Sequence, residues 1–383
     1  MKLKRIIAIM LCIIILLMSL AGCGKDIPPI EDDPDNDLTT PPPDTIVEGI
    51  DYDAALTTFP HDTIMMRSGN TTMTWAELYV VIYRLFKGFS DSYGSGIPWD
   101  IEVEGQTIAE VLLEYVVIEA KSFLKYRYGL EAIGFTLSEQ ELADFKEEIR
   151  EFIEEAGGRE DIEETLREGS GYYNLDVFES FRFVEYCIGI FTDRVYGEQG
   201  SSFPDEGVTK YVADSDIEIM MAMQILRLKS DDEDDNTPRK EAEDILSSLN
   251  ASIGADNFTE IFKAQMLEHS EDRDVITRFP DGFLFTNESM VPEFSEAAAA
   301  LEIGEMSGIV ETDYGYYIIL RIPLDYDAHL LTTDGSSSGT LRQIAASDDF
   351  DSTLAGWFDS LSKSLEFTPE FDTIDLAEIF KEH

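Results

Sequence analysis

The sequence predicts an α+β protein: a helical domain, then a compact unit in which helices surround a small antiparallel sheet, then a C-terminal helix. Three observations carry this reading. Apolar residues recur at helical spacing from Asp62 to about residue 214. Near Asp216 the pattern changes to strands alternating with helices, and beyond residue 324 an amphipathic helical stretch returns.

The first residues address the chain for export. Lys2, Lys4 and Arg5 precede an apolar run from Ile6 to Leu20 that ends in Leu20-Ala21-Gly22-Cys23. The run is shorter than the roughly 20 residues a membrane span requires, so residues 1–22 read as a signal peptide. Its L-A-G-C ending resembles the bacterial lipobox, which implies lipidation of Cys23. Residues 23–60 read as a disordered tether, because Gly24 to Pro60 hold ten acidic residues, seven prolines and one lysine. Such a chain reaches of order 30–35 Å. Within it Asp33-Pro34-Asp35-Asn36-Asp37 has calcium-loop spacing, but Leu38 stands where that loop needs glycine, and no metal is expected.

Cysteine and charge narrow the classes further. Cys12 lies in the signal segment and Cys187 in a helical run, so no disulfide is expected and a core must hold the exported domain. With 44% hydrophobic residues it has the material. The chain carries 28 basic against 78 acidic residues, a net charge of −50 that becomes −53 without the three signal-peptide cations. That charge repels nucleic acid and anionic lipid, so membrane attachment falls to the lipid.

Residues 61–214 form the expected helical domain. "DTIMMRSGNTTMTWAEL" reads as a strand, a Gly-Asn turn, a short strand and a helix capped by Thr74 with Glu77. Trp75, Leu78, Ile82, Leu85 and Phe89 continue one helical face. Helices are expected from about Thr107 to Leu130, from Ser138 with its Glu141 to Glu155, and over 159–168, 175–196 and 204–213. Nothing there suggests a reaction: the stretch contains no G-x-S-x-G, no Walker loop and no H-E-x-x-H.

Residues 215–324 form the second unit. "IEIMMAMQILRL" is a strand, helices follow at about 239–250 and over "DNFTEIFKAQM", and an irregular loop covers 269–285. "MVPEFSEAAAAL" is a short helix, "GIVET" a strand, and "YGYYIILRI" the last strand. In that last strand Tyr317 faces inward if Tyr316 faces solvent, and a buried phenol needs a polar partner.

The succession "MAMQIL", "GADNFTEIFKAQMLEHSEDRD" and "MVPEFSEAAAALEIGEMSGIVETDYGYYIILRI" resembles the parvulin-type peptidyl-prolyl isomerases. The helical domain before it, the lipobox and the returning helix resemble extracytoplasmic foldase lipoproteins of the PrsA and SurA kind. The resemblance implies a SurA-like helical chaperone domain with an inserted parvulin domain, and residues 325–383 packing back on the helical domain. It further implies that two strand positions usually held by histidines are Gln224 and Tyr317, with Asp272 as the third active-site residue. Met290 and Phe294 would floor the proline pocket and Phe285 wall it, while Gly282 stands where leucine is common and would leave one side open. Gln224 and Tyr317 read equally as a substituted catalytic network or as a satisfied polar pair in a binding module. His269 reads as a helix-end surface histidine.

In the C-terminal segment Phe350, Leu354, Trp357, Phe358 and Leu361 share one helical face. The expected activity is that of a foldase on the extracytoplasmic face of the bacterial membrane, lipid-anchored and needing no cofactor. It would act on newly exported, unfolded polypeptides and their X-Pro segments. A non-catalytic holdase is the alternative. A solute-binding lipoprotein is disfavoured, since that class would show two lobes of repeated strand-helix units. The sequence leaves open whether two copies pair as a homodimer.

Overall fold

The computed structural model describes residues 50–93, 99, 101–103, 105–230, 232, 234–331 and 337–381. The signal peptide, Cys23 and the tether up to residue 49 lie outside the described residues. The chain divides into two compact units, one made of residues up to Thr192 together with Asp351–His383, the other of Asp193–Phe350.

In the first unit three helix starts use the same reciprocal cap. The Glu77 backbone N–H donates to the Thr74 hydroxyl while the Thr74 N–H donates to the Glu77 carboxylate, and Thr107 with Glu110 and Ser138 with Glu141 repeat the arrangement. Each pair satisfies two backbone donors that a helix end otherwise leaves unmet. The helix Trp75–Tyr93 buries Trp75, Leu78, Tyr79, Ile82 and Phe86. It packs them against Val116, Ala120 and Leu124 of the helix Ile108–Ala132. The chain's end closes this core: Leu361, Phe371, Leu376 and Phe380 join it, and the Phe380 ring stacks 4.1 Å from Phe86. The strand Glu366–Phe367 pairs with Ile64–Ser68, which pairs in turn with Thr71–Thr74. Gly129 sits against Trp357, whose ring occupies the space a side chain would need.

Structure begins earlier than residue 60, where the sequence placed the end of the tether. Tyr52–Leu56 is a short helix capped by Asp51, with Ala55 and Leu56 buried. The Trp75 indole donates to the Leu56 carbonyl at 2.6 Å, and Tyr52 lies edge-on to Tyr83. The acidic, proline-rich composition concealed Tyr52 and Leu56, one helical turn apart, which meet an aromatic surface.

The second unit is built on a six-stranded sheet ordered Ser337–Thr340, His329–Leu331, Phe283–Thr286, Ile219–Leu228, Gly315–Arg321, Val310–Glu311. Its pairs are antiparallel except that between Phe283–Thr286 and His329–Leu331. Ile219 through Leu226 are all buried, as in a central strand covered on both faces. Three expectations change here. The stretch 269–285 is not one irregular loop but contains the helix Arg273–Arg278 and the strand Phe283–Thr286. "YGYYIILRI" is not the last strand, since two more follow. Finally, the helix Asp205–Asp214 and residues 325–350 belong to this unit. Arg342 accounts for that: it donates to the Phe203 carbonyl at 2.5 Å, to Asp205 at 2.8 Å and to Asp327 at 2.7 Å.

Candidate functional site

Strand register decides which side chains meet. Gln224 lies opposite Ile319, and Tyr317 lies opposite Leu226. Because side chains alternate faces with a period of two, Gln224 and Tyr317 share a face but are diagonal neighbours, not directly opposite each other. Their polar groups diverge accordingly. The Gln224 amide N–H donates to the Asp272 carboxylate at 2.6 Å rather than to Tyr317. Its other atom, Oε1, is buried without a partner, on a residue 1% exposed.

Asp272 is held from three directions. Its own carboxylate caps the helix Arg273–Arg278, accepting from the Val275 N–H at 3.2 Å. The preceding residues are fastened to the end of the strand Ile219–Leu228: the Leu226 N–H donates to the Ser270 hydroxyl, the Glu271 N–H to the Leu226 carbonyl, and the Leu228 N–H to the Glu271 carboxylate. Burial pushes the Asp272 carboxyl above the usual aspartate range. The Val275 N–H pulls it back, the Asp274 charge raises it again, and the Gln224 bond lowers it.

Tyr317 is buried, its ring edge-on to Phe294 at 5.4 Å. Burial first, then the negative charge of Asp272 and the neighbouring Tyr314, push its phenol up to about 12, and Thr312 pulls the other way. Asp272 and Tyr317 share an open cleft of about 390 Å³ with Leu226, Leu228, Glu271, Arg273, Asp274 and Tyr314. So the structure brings Asp272, Gln224 and Tyr317 into one neighbourhood through Asp272, the first two by a direct bond.

The expected walls of the proline pocket fare differently. Phe285 and Phe294 have no exposed surface, because they pack on each other at 5.5 Å and on Phe283. As the molecule stands they are the packed base beneath the site and offer no wall to a ligand. Met290 is half-buried on the same apolar cluster. Gly282 does not open a side. Its φ is +102°, and a Cβ there would lie 2.6 Å from Ile322 Cδ1 and 3.0 Å from the Ala222 carbonyl. His269 ends its helix, its side chain 36% exposed and 3.8 Å from Glu268.

The sequence reading missed Leu226, Leu228, Thr312 and Tyr314. Period-two spacing from Gln224 would have put both leucines on its face. Thr312 and Tyr314 carried no such signal, since their place depends on the turn in which the Tyr314 N–H donates to the Thr312 hydroxyl. Among the described residues no cluster of His, Cys, Asp and Glu could hold a metal, and no helix is long and apolar enough to cross a membrane.

Residues 220–322 match the rotamase family, the PPIC-type PPIASE domain. The foldase protein PrsA of Halalkalibacterium halodurans is 28% identical over 316 residues, covering 76% of this chain and 88% of that protein. PrsA of Caldanaerobacter subterraneus is 38% identical over 117 residues, 30% of this chain and 33% of that one. Among solved structures, Bacillus subtilis PrsA covers 75% of this chain and 99% of its own at 18% identity, with a TM-score of 0.25. A likeness at that TM-score adds nothing about function.

Proposed function

We propose, on the premise that residues 220–322 are a parvulin-type rotamase domain in a PrsA-like chain, that this protein is an extracytoplasmic foldase for exported polypeptides. Its prolyl isomerase site is the cleft shared by Asp272 and Tyr317. The observation that carries the reading is the Gln224–Asp272 hydrogen bond, which fixes a half-buried carboxylate at the mouth of that cleft inside the family-matched segment.

The chemistry asks little of such a site. Rotation about an X-Pro bond faces a barrier of ~18–20 kcal/mol and breaks no covalent bond, so preferring the twisted amide to the planar one is enough. Resonance in the planar amide puts negative charge on the carbonyl oxygen. A carboxylate held beside that oxygen, the role assigned to Asp272, disfavours the planar form. The twisted nitrogen recovers a lone pair that a hydroxyl donor stabilises, the role assigned to Tyr317. Gln224 positions Asp272, and Leu226 and Leu228 give the cleft its apolar side.

One observation favours a second reading, a non-catalytic holdase: Phe285 and Phe294 are closed off in the core. Isomerisation of a proline tetrapeptide, run beside suppression of aggregation of an unfolded client, separates the two. Acceleration that Asp272→Asn reduces tenfold or more supports the enzyme. Aggregation suppression with no acceleration supports the holdase. We further propose that Cys23 carries the lipid that tethers the mature chain. Cys23→Ser then leaves the membrane fraction, and tight association of that variant would refute the anchor.

A further inference from the structure

The cleft has a chemical character that the isomerase reading does not use. Leu228, the last residue of its strand, and Tyr314, in the turn that leads into the neighbouring strand, stand at its rim 46% and 61% exposed, with the Lys229 N–H donating to the Tyr314 carbonyl at 3.0 Å. Beside this apolar rim lie three carboxylates, Glu271, Asp272 and Asp274. The one cation in the lining, Arg273, turns its guanidinium to the Leu267 carbonyl at 3.4 Å. The local field is therefore negative, which is also visible in the upward push that Asp274 exerts on Asp272. Asp272 is engaged by the Val275 N–H and Gln224, and Glu271 by the Leu228 N–H and by the Arg227 guanidinium at 3.5 Å, whereas Asp274 is exposed.

We propose that the cleft selects prolyl segments with a lysine or arginine beside the proline, the alkyl stem lying on Leu228 and Tyr314 and the charge meeting Asp274. Long basic side chains are the class that joins an apolar stem to a cationic head, and a tyrosine face adds attraction for that head. An acidic flanking residue would instead meet the like charges of Asp274 and Asp272. The inference rests on the reading of this cleft as the prolyl-peptide site.

The test uses the full chain and tetrapeptides with lysine, alanine or glutamate before the proline in one set and after it in another. Binding is followed by calorimetry and turnover by isomerisation rate. The expected result is a lysine-over-glutamate ratio of about tenfold at low salt in at least one set, shrinking as salt screens the field. Asp274→Lys removes or inverts that ratio and Asp274→Asn weakens it. A double variant Glu164→Gln/Glu168→Gln, which removes the same net charge from the exposed surface of the helical unit, leaves it in place. If the alanine peptide binds and turns over but lysine and glutamate are equal, the selectivity is wrong and the cleft reading stands. If the control variant erases the ratio as fully as Asp274→Lys, the preference belongs to whole-chain charge and the proposal is overturned. If no peptide binds or turns over, the cleft reading falls and the selectivity with it.

Discussion

Gln224 donates one amide hydrogen to Asp272 at 2.6 Å and leaves its own carbonyl oxygen buried without a partner. A lone buried acceptor costs on the order of 1–3 kcal/mol, so this glutamine is held at a cost to stability, and what it supplies in return is the position of a carboxylate.

The pH dependence follows from that carboxylate. Burial raises the folded-state pKa of Asp272 above its unfolded value, so protonation favours the folded state. Its contribution is most favourable below the unfolded pKa and is lost as pH rises through the folded one. Asp272→Asn keeps a good helix cap and removes the burial penalty, so at neutral pH the variant is expected to be at least as stable as the parent, the difference vanishing in acid. The acid limb of the isomerisation profile, displaced above the ordinary aspartate range, disappears in the same variant, and Gln224→Leu moves it higher. Denaturant titrations and rate profiles across pH 3–8 read both; a limb unchanged in Asp272→Asn would remove Asp272 from the mechanism.

Gly282 yields a prediction about backbone. With φ at +102° and no room for a Cβ beside Ile322 and Ala222, the leucine that the family resemblance implies at this position does not fit here. Gly282→Leu is expected to destabilise the second unit by about 1–3 kcal/mol, read as a lower denaturation midpoint. A variant as stable as the parent would mean that the 279–283 turn had rearranged.

How far the sequence could be read follows the range of the interactions. The caps at Thr74 and Ser138 were legible because each partner lies three residues away. The helical pattern of Trp75, Leu78 and Ile82 was legible for the same reason. What escaped was set at long range. Arg342 ties residues 325–350 to Phe203 across 139 positions, and no local pattern announces that. The site shows the same split. Asp272 and Gln224 were found through family resemblance, but that they bond to each other, with Tyr317 opposite Leu226, depends on a register that composition does not encode.

Gly129 and Trp357 test how the chain's end is held. A Cβ on Gly129 would fall 1.9 Å from the indole of Trp357, so helix Ile108–Ala132 admits that ring only because the residue is glycine. Gly129→Leu forces the indole out. Overpacking of this kind costs about 1–3 kcal/mol. The first unit should unfold earlier by helical circular dichroism, while turnover of a proline peptide by the second unit persists. Gly129→Leu paired with Trp357→Ala, which vacates the space, should recover part of the loss. No recovery would mean that the glycine is needed for something other than the ring.

The last prediction concerns Gln224 and Tyr317, the two strand positions at which the family resemblance implies histidines. Neither Gln224 nor Tyr317 changes charge near neutral pH; the tyrosine, pushed up to about 12, titrates only in strong alkali. Activity should therefore lack any inflection from a histidine pair between about pH 5.5 and 7.5, leaving Asp272 as the only titrating group of the three. Gln224→His with Tyr317→His places two imidazoles on one sheet face, diagonal across the strands Ile219–Leu228 and Gly315–Arg321, with the Asp272 carboxylate beside the first. Loss of the tyrosine removes its edge contact with Phe294 and lowers stability, and the histidine at 224 gives Asp272 a donor whose charge follows pH. The double variant is expected to isomerise a proline tetrapeptide faster than the parent and to gain a neutral-range inflection. A folded double variant that neither gains rate nor acquires the inflection would show that Asp272 and the cleft around it do not form a catalytic pocket, and the second unit would then be a peptide-binding module.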